Sequence, residues 1–298
     1  MAINEKVTLG ASLLRISLPV FAAQRDGLFL AQGLDVTLPT YETAQPLLED
    51  VTDGRIDAGG FIAFPIILQA ARYVADPPVV VAGVVEDASN RLSYTLARRG
   101  SGLSFPKDAR GRRIGILPTI AYREWLEEIL RAAKVPLEEV TIVPVAPLAQ
   151  PGALATSEVD LLLTNDPIAI ALLASKEAEL VDGGPPCAQW LGDPFPFGTF
   201  ALSAELVRAR PAVAQRLVAA IDAGIESVRR DPVGARRALA DMLPLAERAA
   251  VDSFPHTRYL TSQEAGAELL KSEIARQKAL GHWLQAPRVS VWQAPHEG

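Results

Sequence analysis

Short apolar runs alternate with amphipathic stretches along most of the chain, and glycine or proline stands at the junctions. Residues 7–13 read as a buried first strand, and residues 18–25 as a helix entered through Ser17 and Pro19, with Ser17 at its N-cap. The chain then passes Gly27, an aromatic plug at Phe29, a second turn at Gly33 and a strand over 36–38. A helix over 45–52 ends at Gly54, and a strand over 56–58 stops at Gly59 and Gly60, where bare backbone lets a ligand approach. A helix over 64–71 and a β-branched strand over 79–85 follow. The same logic resumes after residue 98. Residues 103–116 read as a short helix, a glycine turn and a strand, which leads through Pro118 and Thr119 into a helix over 122–133. Strands over 141–145 and 159–164 come next, the second ending at Asn165, Asp166 and Pro167. A strand over 197–202 precedes helices over 211–229 and 232–242, with a stop and restart at Asp231 and Pro232, and mostly helical chain up to Trp283. Such alternation predicts mainly parallel sheets covered by helices on both faces.

The order glycine, aromatic, glycine, strand over 27–36, followed by Asp53, Gly54, Ile56, Asp57 and the Gly59-Gly60 pair, resembles the first lobe of type II periplasmic substrate-binding proteins. The likeness is to the branch that serves sulfonate, nitrate and thiamine-pyrimidine uptake. Residues 103–116 match in order and spacing the segment that opens the second lobe there, and Asn165-Asp166-Pro167 matches a strand followed by an acidic residue and proline. The resemblance covers most of the chain. It implies an α/β, two-lobed type II periplasmic-binding-protein fold with mainly parallel sheets and a two-crossing hinge. The first lobe is expected from residues 1–95 plus 200–298 and the second from 96–199, with crossings near 94–98 and 197–200. The function implied is a solute-binding protein whose lobes close on a small organic ligand for ABC-type import, with a transporter permease as partner.

Composition narrows this picture. The 298 residues suffice for two lobes of ordinary size, and a net charge of −6 without a basic block argues against a nucleic-acid partner. Cys187 is the single cysteine, so no intramolecular disulfide forms, and His256, His282 and His296 lack the spacing of a zinc-binding helix. No metal or other cofactor is expected. The N-terminus has no basic n-region or long apolar run, so neither a signal peptide nor a membrane span is expected. The expected location is periplasmic if a leader was removed and cytoplasmic if Met1 is the native start.

In an open parallel sheet ligands sit beyond the carboxyl ends of strands, where loops converge and helix N-termini present free N–H groups. This rule selects Arg15 and Ser17 after the first strand, Tyr41 after the second, Gly59, Gly60 and Phe61 after the third, and Glu86 after the fourth. In the second lobe it selects Thr119, Ile120 and Arg123 at a helix entrance, and the pair Asn165 and Asp166. Thr119 is either a helix cap or a hydroxyl for an acidic or polar ligand oxygen. Arg15 and Arg123 either grip an acidic ligand or pair with surface acids. Asp166 either recognises an amine or ring N–H or caps the following helix, and Trp190, Phe195 and Phe197 form either an aromatic wall or ordinary packing. Where the family often has glycine before the serine or threonine, this chain has Leu117 and Pro118; Pro118 removes a donor, which favours an organic ligand with an apolar or aromatic body and a polar or acidic group over nitrate or sulfate.

Some enzymes share the fold implied by the resemblance. One, a desulfinase, uses a cysteine near the first strand, and another, a pyrimidine synthase, carries a cysteine-rich motif with histidines. Residues 13–17 contain no cysteine, and Cys187 between Pro186 and Ala188 reads as a packed thiol. Ser17 with His256 lacks a triad signature, so no catalytic residue is expected. The alternatives to a transport protein are a cytoplasmic lyase or hydrolase acting on an aromatic or sulfur-containing substrate, and an intracellular ligand sensor or carrier.

Overall fold

The computed structural model describes residues 4–248, 251–281 and 287–293. Along the chain these form β1 (Glu5–Gly10), α1 (Leu18–Arg25), α2 (Leu28–Ala31), β2 (Leu34–Thr37), α3 (Ala44–Thr52), β3 (Ala58–Ile62), α4 (Phe64–Ala70) and β4 (Val79–Glu86). Next come β5 (Tyr94–Arg98), β6 (Arg113–Ile116), α5 (Ile120–Ala132), β7 (Thr141–Pro144), α6 (Gln150–Ala155), β8 (Leu161–Thr164), α7 (Ile168–Ala174), β9 (Ala178–Leu180) and α8 (Pro186–Leu191). The remainder is β10 (Phe195–Leu202), α9 (Ala204–Ala209), α10 (Pro211–Arg230), α11 (Pro232–Ala240), α12 (Leu245–Arg248), β11 (Arg258–Leu260) and α13 (Ser262–Ala279). The end of helical chain expected at Trp283, together with His282 and His296, lies outside the described residues.

The chain divides into two compact units, residues 1–84, 196–239 and 259–298 in the first and residues 85–195 and 240–258 in the second. The expected boundaries at 95/96 and 199/200 differ from these by up to eleven residues, and segment 240–258 was expected in the first lobe. Its assignment follows from long-range contacts that local periodicity does not encode.

The first unit holds a six-stranded sheet in the order β11-β4-β10-β3-β1-β2. Strand β1 pairs in parallel with β2 and β3, while β10 returns antiparallel to β3. Gly27 and Gly33 adopt φ of +67° and +66°, the left-handed conformation that turns the chain around α2 with Phe29 buried beneath it. Helix α10 packs on α1 so closely that a Cβ on Gly224 would stand 2.3 Å from the Pro19 carbonyl oxygen. The second unit holds a five-stranded sheet, β7-β6-β8-β5-β9, in which β6 is parallel to β7 and β8 and β5 is antiparallel to β8 and β9. Its core gathers Tyr94, Leu96, Leu162, Ile168 and Leu172 between sheet and helices. Strand–helix–strand alternation accounts for the parallel pairs. The antiparallel pairs come from β5, the first strand to lie wholly beyond the 84/85 crossing, and from β10, which contains the 195/196 crossing.

Two local expectations change. Strand β3 does not stop at Gly59 and Gly60 but runs through them to Ile62, every residue buried. Residues 105–108 form turns, not the short helix expected before β6.

Candidate functional site

In the first unit, the loop after β1 is closed by its own side chains. Ser17 Oγ accepts from the Ser12 backbone N at 3.1 Å, lies 3.1 Å from Ser12 Oγ, and donates to the Gly60 carbonyl at 3.5 Å. Ser17 occupies the N-cap position of α1 as expected, but its side chain makes no cap bond, because its hydroxyl is committed to this loop. Arg15 sits beside it in a single 3₁₀ turn, buried at 1% exposure, which replaces the solvated or surface-paired alternative. The Arg15 carbonyl accepts from Tyr259 Oη at 2.6 Å.

Gly59 and Gly60 are required by packing. A Cβ on Gly59 would stand 2.8 Å from Ile62 Cδ1, and one on Gly60 would stand 2.9 Å from Val20 Cγ2. Phe61 and Phe197 are likewise buried, at 3% and 2% exposure, on β3 and β10. Tyr41 is half-buried over Gly10 and donates to Asp50 Oδ2 at 2.6 Å; Asp50 also accepts from Arg55 Nε at 2.5 Å. Burial, then the Asp50 contact, pushes the Tyr41 phenol up to about 12, while the Tyr41 and Arg55 hydrogen bonds hold Asp50 below its usual range.

In the second unit, Glu86 is fully buried and accepts from the backbone N–H groups of Leu92, Ser93 and Ala188 and from Ser93 Oγ. Burial nevertheless pushes its carboxyl above the usual glutamate range. Ser93 Oγ also accepts from the Cys187 backbone N at 3.2 Å, so the buried thiol belongs to the segment that Glu86 and Ser93 hold. Thr119 is the N-cap of α5, accepting from the Tyr122 backbone N at 3.3 Å, and both Thr119 and Ile120 are partly exposed. Arg123 is exposed and pairs with Glu127 at 3.9 Å.

Strands β6 and β8 are parallel neighbours, with Ile116 opposite Leu163, so the entrance to α5 and the Asn165-Asp166 pair leave the sheet at the same edge. Tyr94 begins β5 opposite Thr164 at that edge and donates to Asp166 Oδ2 at 3.0 Å. The N-cap position of α7 falls on Pro167, and Asp166 Oδ2 is engaged by the Tyr94 hydroxyl. Asn165 is 4% exposed, and its Oδ1 has no hydrogen-bond partner among the described residues.

Sequence reasoning gave little weight to Tyr122 and did not find Trp125. Tyr122 lies in the first turn of α5, buried at 5% exposure, and its Oη has no partner among the described residues. Burial pushes this phenol well above its usual range, and the nearby Cys187, Glu86 and Asp166 add to the effect. Trp125 stacks at a tilt on Tyr122, ring centroids 5.1 Å apart, and meets Phe195 edge-on at 5.5 Å. Phe195 is therefore packed within the second unit, whereas Trp190 is partly exposed on α8. The spacing of Tyr122, Trp125 and Ile129 on one helical face was the available signal. His256 Nδ1 lies 2.7 Å from Asn90 Oδ1, and no group of three or more candidate metal ligands occurs among the described residues.

A family model described as NMT1/THI5 like matches residues 16–235. The chain belongs to the NMT1/THI5-like family. No curated protein matches it. Among solved structures, this NMT1/THI5-like chain is similar to the alkanesulfonate-binding protein SsuA from Xanthomonas axonopodis pv. citri bound to MOPS, at 21% identity, TM-score 0.75, 99% of this chain and 100% of that one. It is similar to the ligand-binding component of an ABC-type import system from Staphylococcus aureus with zinc bound, at 14% identity, TM-score 0.77 and 98% and 97% coverage. The periplasmic nitrate-binding protein NrtA from Synechocystis PCC 6803 matches at 14% identity, TM-score 0.69 and 94% and 83% coverage. The NMT1/THI5-like chain thus has the two-lobed α/β fold of the type II periplasmic binding proteins. Among the described residues no helix is long and apolar enough to cross a membrane.

Proposed function

We propose that this protein is the solute-binding component of an ABC-type importer and takes a compact organic molecule with an apolar or aromatic body and an acidic group. The supporting observation is the likeness of fold over the full length of an alkanesulfonate-binding protein, within a family model covering residues 16–235. In our reading the acidic group meets the entrance of α5, where the first backbone N–H groups of a 13-residue helix and the partly exposed Thr119 are available. Pro118 removes one donor from this entrance, so a sulfonate or carboxylate on an organic body suits it better than a free nitrate or sulfate. The permease of the importer is the partner, the periplasm is the location if the chain is exported, and ligand-dependent closure of the hinge goes with this function.

Mass spectrometry of ligand released from purified, denatured protein tests the reading, followed by calorimetric rebinding of what is found. A single organic acid, bound stoichiometrically and unchanged after prolonged incubation, is the expected result. Scattering with that ligand should give a smaller radius of gyration. Conversion of the ligand into a product would overturn the transport reading in favour of an enzyme.

A further inference from the structure

Among the described residues, Asn165 Oδ1 and Tyr122 Oη are buried without a hydrogen-bond partner at one sheet edge of the second unit. Asn165 Oδ1 stands at the carboxyl end of β8, and Tyr122 Oη stands in the first turn of the helix that follows the neighbouring parallel strand β6. Each belongs to a residue at least 95% buried, at 4% and 5% exposure. An unmet buried acceptor carries a desolvation penalty with nothing to offset it, so such atoms are rare in packed interiors unless a partner arrives from outside. The carboxyl ends of parallel strands are where ligands enter such sheets.

The chemistry of the surrounding groups selects the partner. Asn165 Oδ1 only accepts hydrogen bonds. Asp166, next in the chain, is an acid, and its Oδ2 already accepts from Tyr94. A carboxylate or sulfonate oxygen brought to Asn165 Oδ1 would set acceptor against acceptor, whereas a nitrogen bearing hydrogens would satisfy it, and the Tyr122 hydroxyl can accept from the same nitrogen.

We infer that the second unit binds, on Asn165 Oδ1 and at the sheet edge that also carries Tyr122 Oη, a hydrogen-bond-donating nitrogen of the ligand: an ammonium, an aryl amine or a ring N–H. This rests on the solute-binding reading and adds a second polar group to the ligand, distinct from the acid met by the entrance of α5. The ligand class becomes organic acids that also carry a donor nitrogen.

Calorimetry on the full chain with two isosteric pairs tests it: sulfanilate against para-toluenesulfonate, and aminoethanesulfonate against propanesulfonate. In each pair a methyl replaces the nitrogen group. The nitrogen member of at least one pair should bind about tenfold more tightly, and that ratio should fall close to one in Asn165→Leu and be reduced in Tyr122→Phe. Both variants remove an unsatisfied buried atom, so their ligand-free melting temperatures should stay at or above the parent value, a result that separates lost recognition from lost folding. Equal affinity within both pairs, preference for the methyl members, binding of neither amine, or a tenfold preference that survives Asn165→Leu each overturns the inference. Sulfonates that bind without regard to nitrogen would leave the solute-binding reading intact and remove only this one. Absence of both sulfonate binding and a released ligand would remove both.

Discussion

The strand-end loops of the two units are built from similar residues and reach opposite states of satisfaction. In the first, Ser12, Ser17 and the Gly60 carbonyl close on one another, and Tyr41, Asp50 and Arg55 form a chain of hydrogen bonds. In the second, Glu86 is saturated with donors, yet Asn165 Oδ1 and Tyr122 Oη find none among the described residues. A hydroxyl at a strand end is thus no evidence of a binding site by itself; what matters is whether the fold has already used it. Ser17 looked like a contact and serves as a loop clasp, while Tyr122, one step beyond the α5 entrance, keeps a buried hydroxyl without a partner among the described residues.

The sharpest way to break this contrast is at Glu86. Glu86→Leu should strand three buried backbone donors and cost about 3 kcal/mol or more, seen as a lowered denaturation midpoint. A variant as stable as the parent would mean that water serves those donors and that the second region is looser than described. Ser17→Ala comes next, with an expected loss of about 1 kcal/mol and no change in ligand affinity; a tenfold loss of affinity at constant stability would put Ser17 back in the binding site. Arg123→Ala is expected to move stability by less than about 0.5 kcal/mol, because its pairing with Glu127 is exposed and long.

The two regions should also respond to pH with opposite sign. Glu86 has its folded pKa raised above the ordinary 4.5, so its contribution is complete below that value and is lost as pH rises through the folded pKa. Asp50 has its folded pKa lowered below 3.8, so its contribution is present above that value and is lost as pH falls. Denaturation midpoints followed against pH should therefore flatten on the higher-pH limb in Glu86→Gln and on the acid limb in Asp50→Asn. The Asp50 effect should be the smaller, since that group faces water.

Much of the fold was legible where a local signal was decisive. The helix over 18–25 coincides with α1, since Pro19 is preset for a first turn and the apolar run from Leu18 to Ala23 is buried on every side. A strand read over 56–58 stops short because Gly59 and Gly60 look like punctuation, whereas the neighbours Ile62 and Val20 leave no room for a side chain there and the strand runs on to Ile62. The site was legible only as a set of strand ends. That Asp166 is held by Tyr94, or that Arg15 is buried, depends on residues brought together from distant parts of the chain, and no periodicity reports such pairings.

The division of the chain also bears on its synthesis. The second unit includes residues 240–258, and the first includes residues from 259 onward. A ribosome that has made the first 239 residues has completed neither unit, although the second already has its whole sheet and the first lacks only β11. Strict domain-by-domain maturation is therefore closed to this protein, and the β4 edge of the first sheet stays open until the chain has passed residue 260. The same interleaving means that no single cut in the coding sequence exchanges one unit for a relative's, so the two have to change by substitution within a shared reading frame.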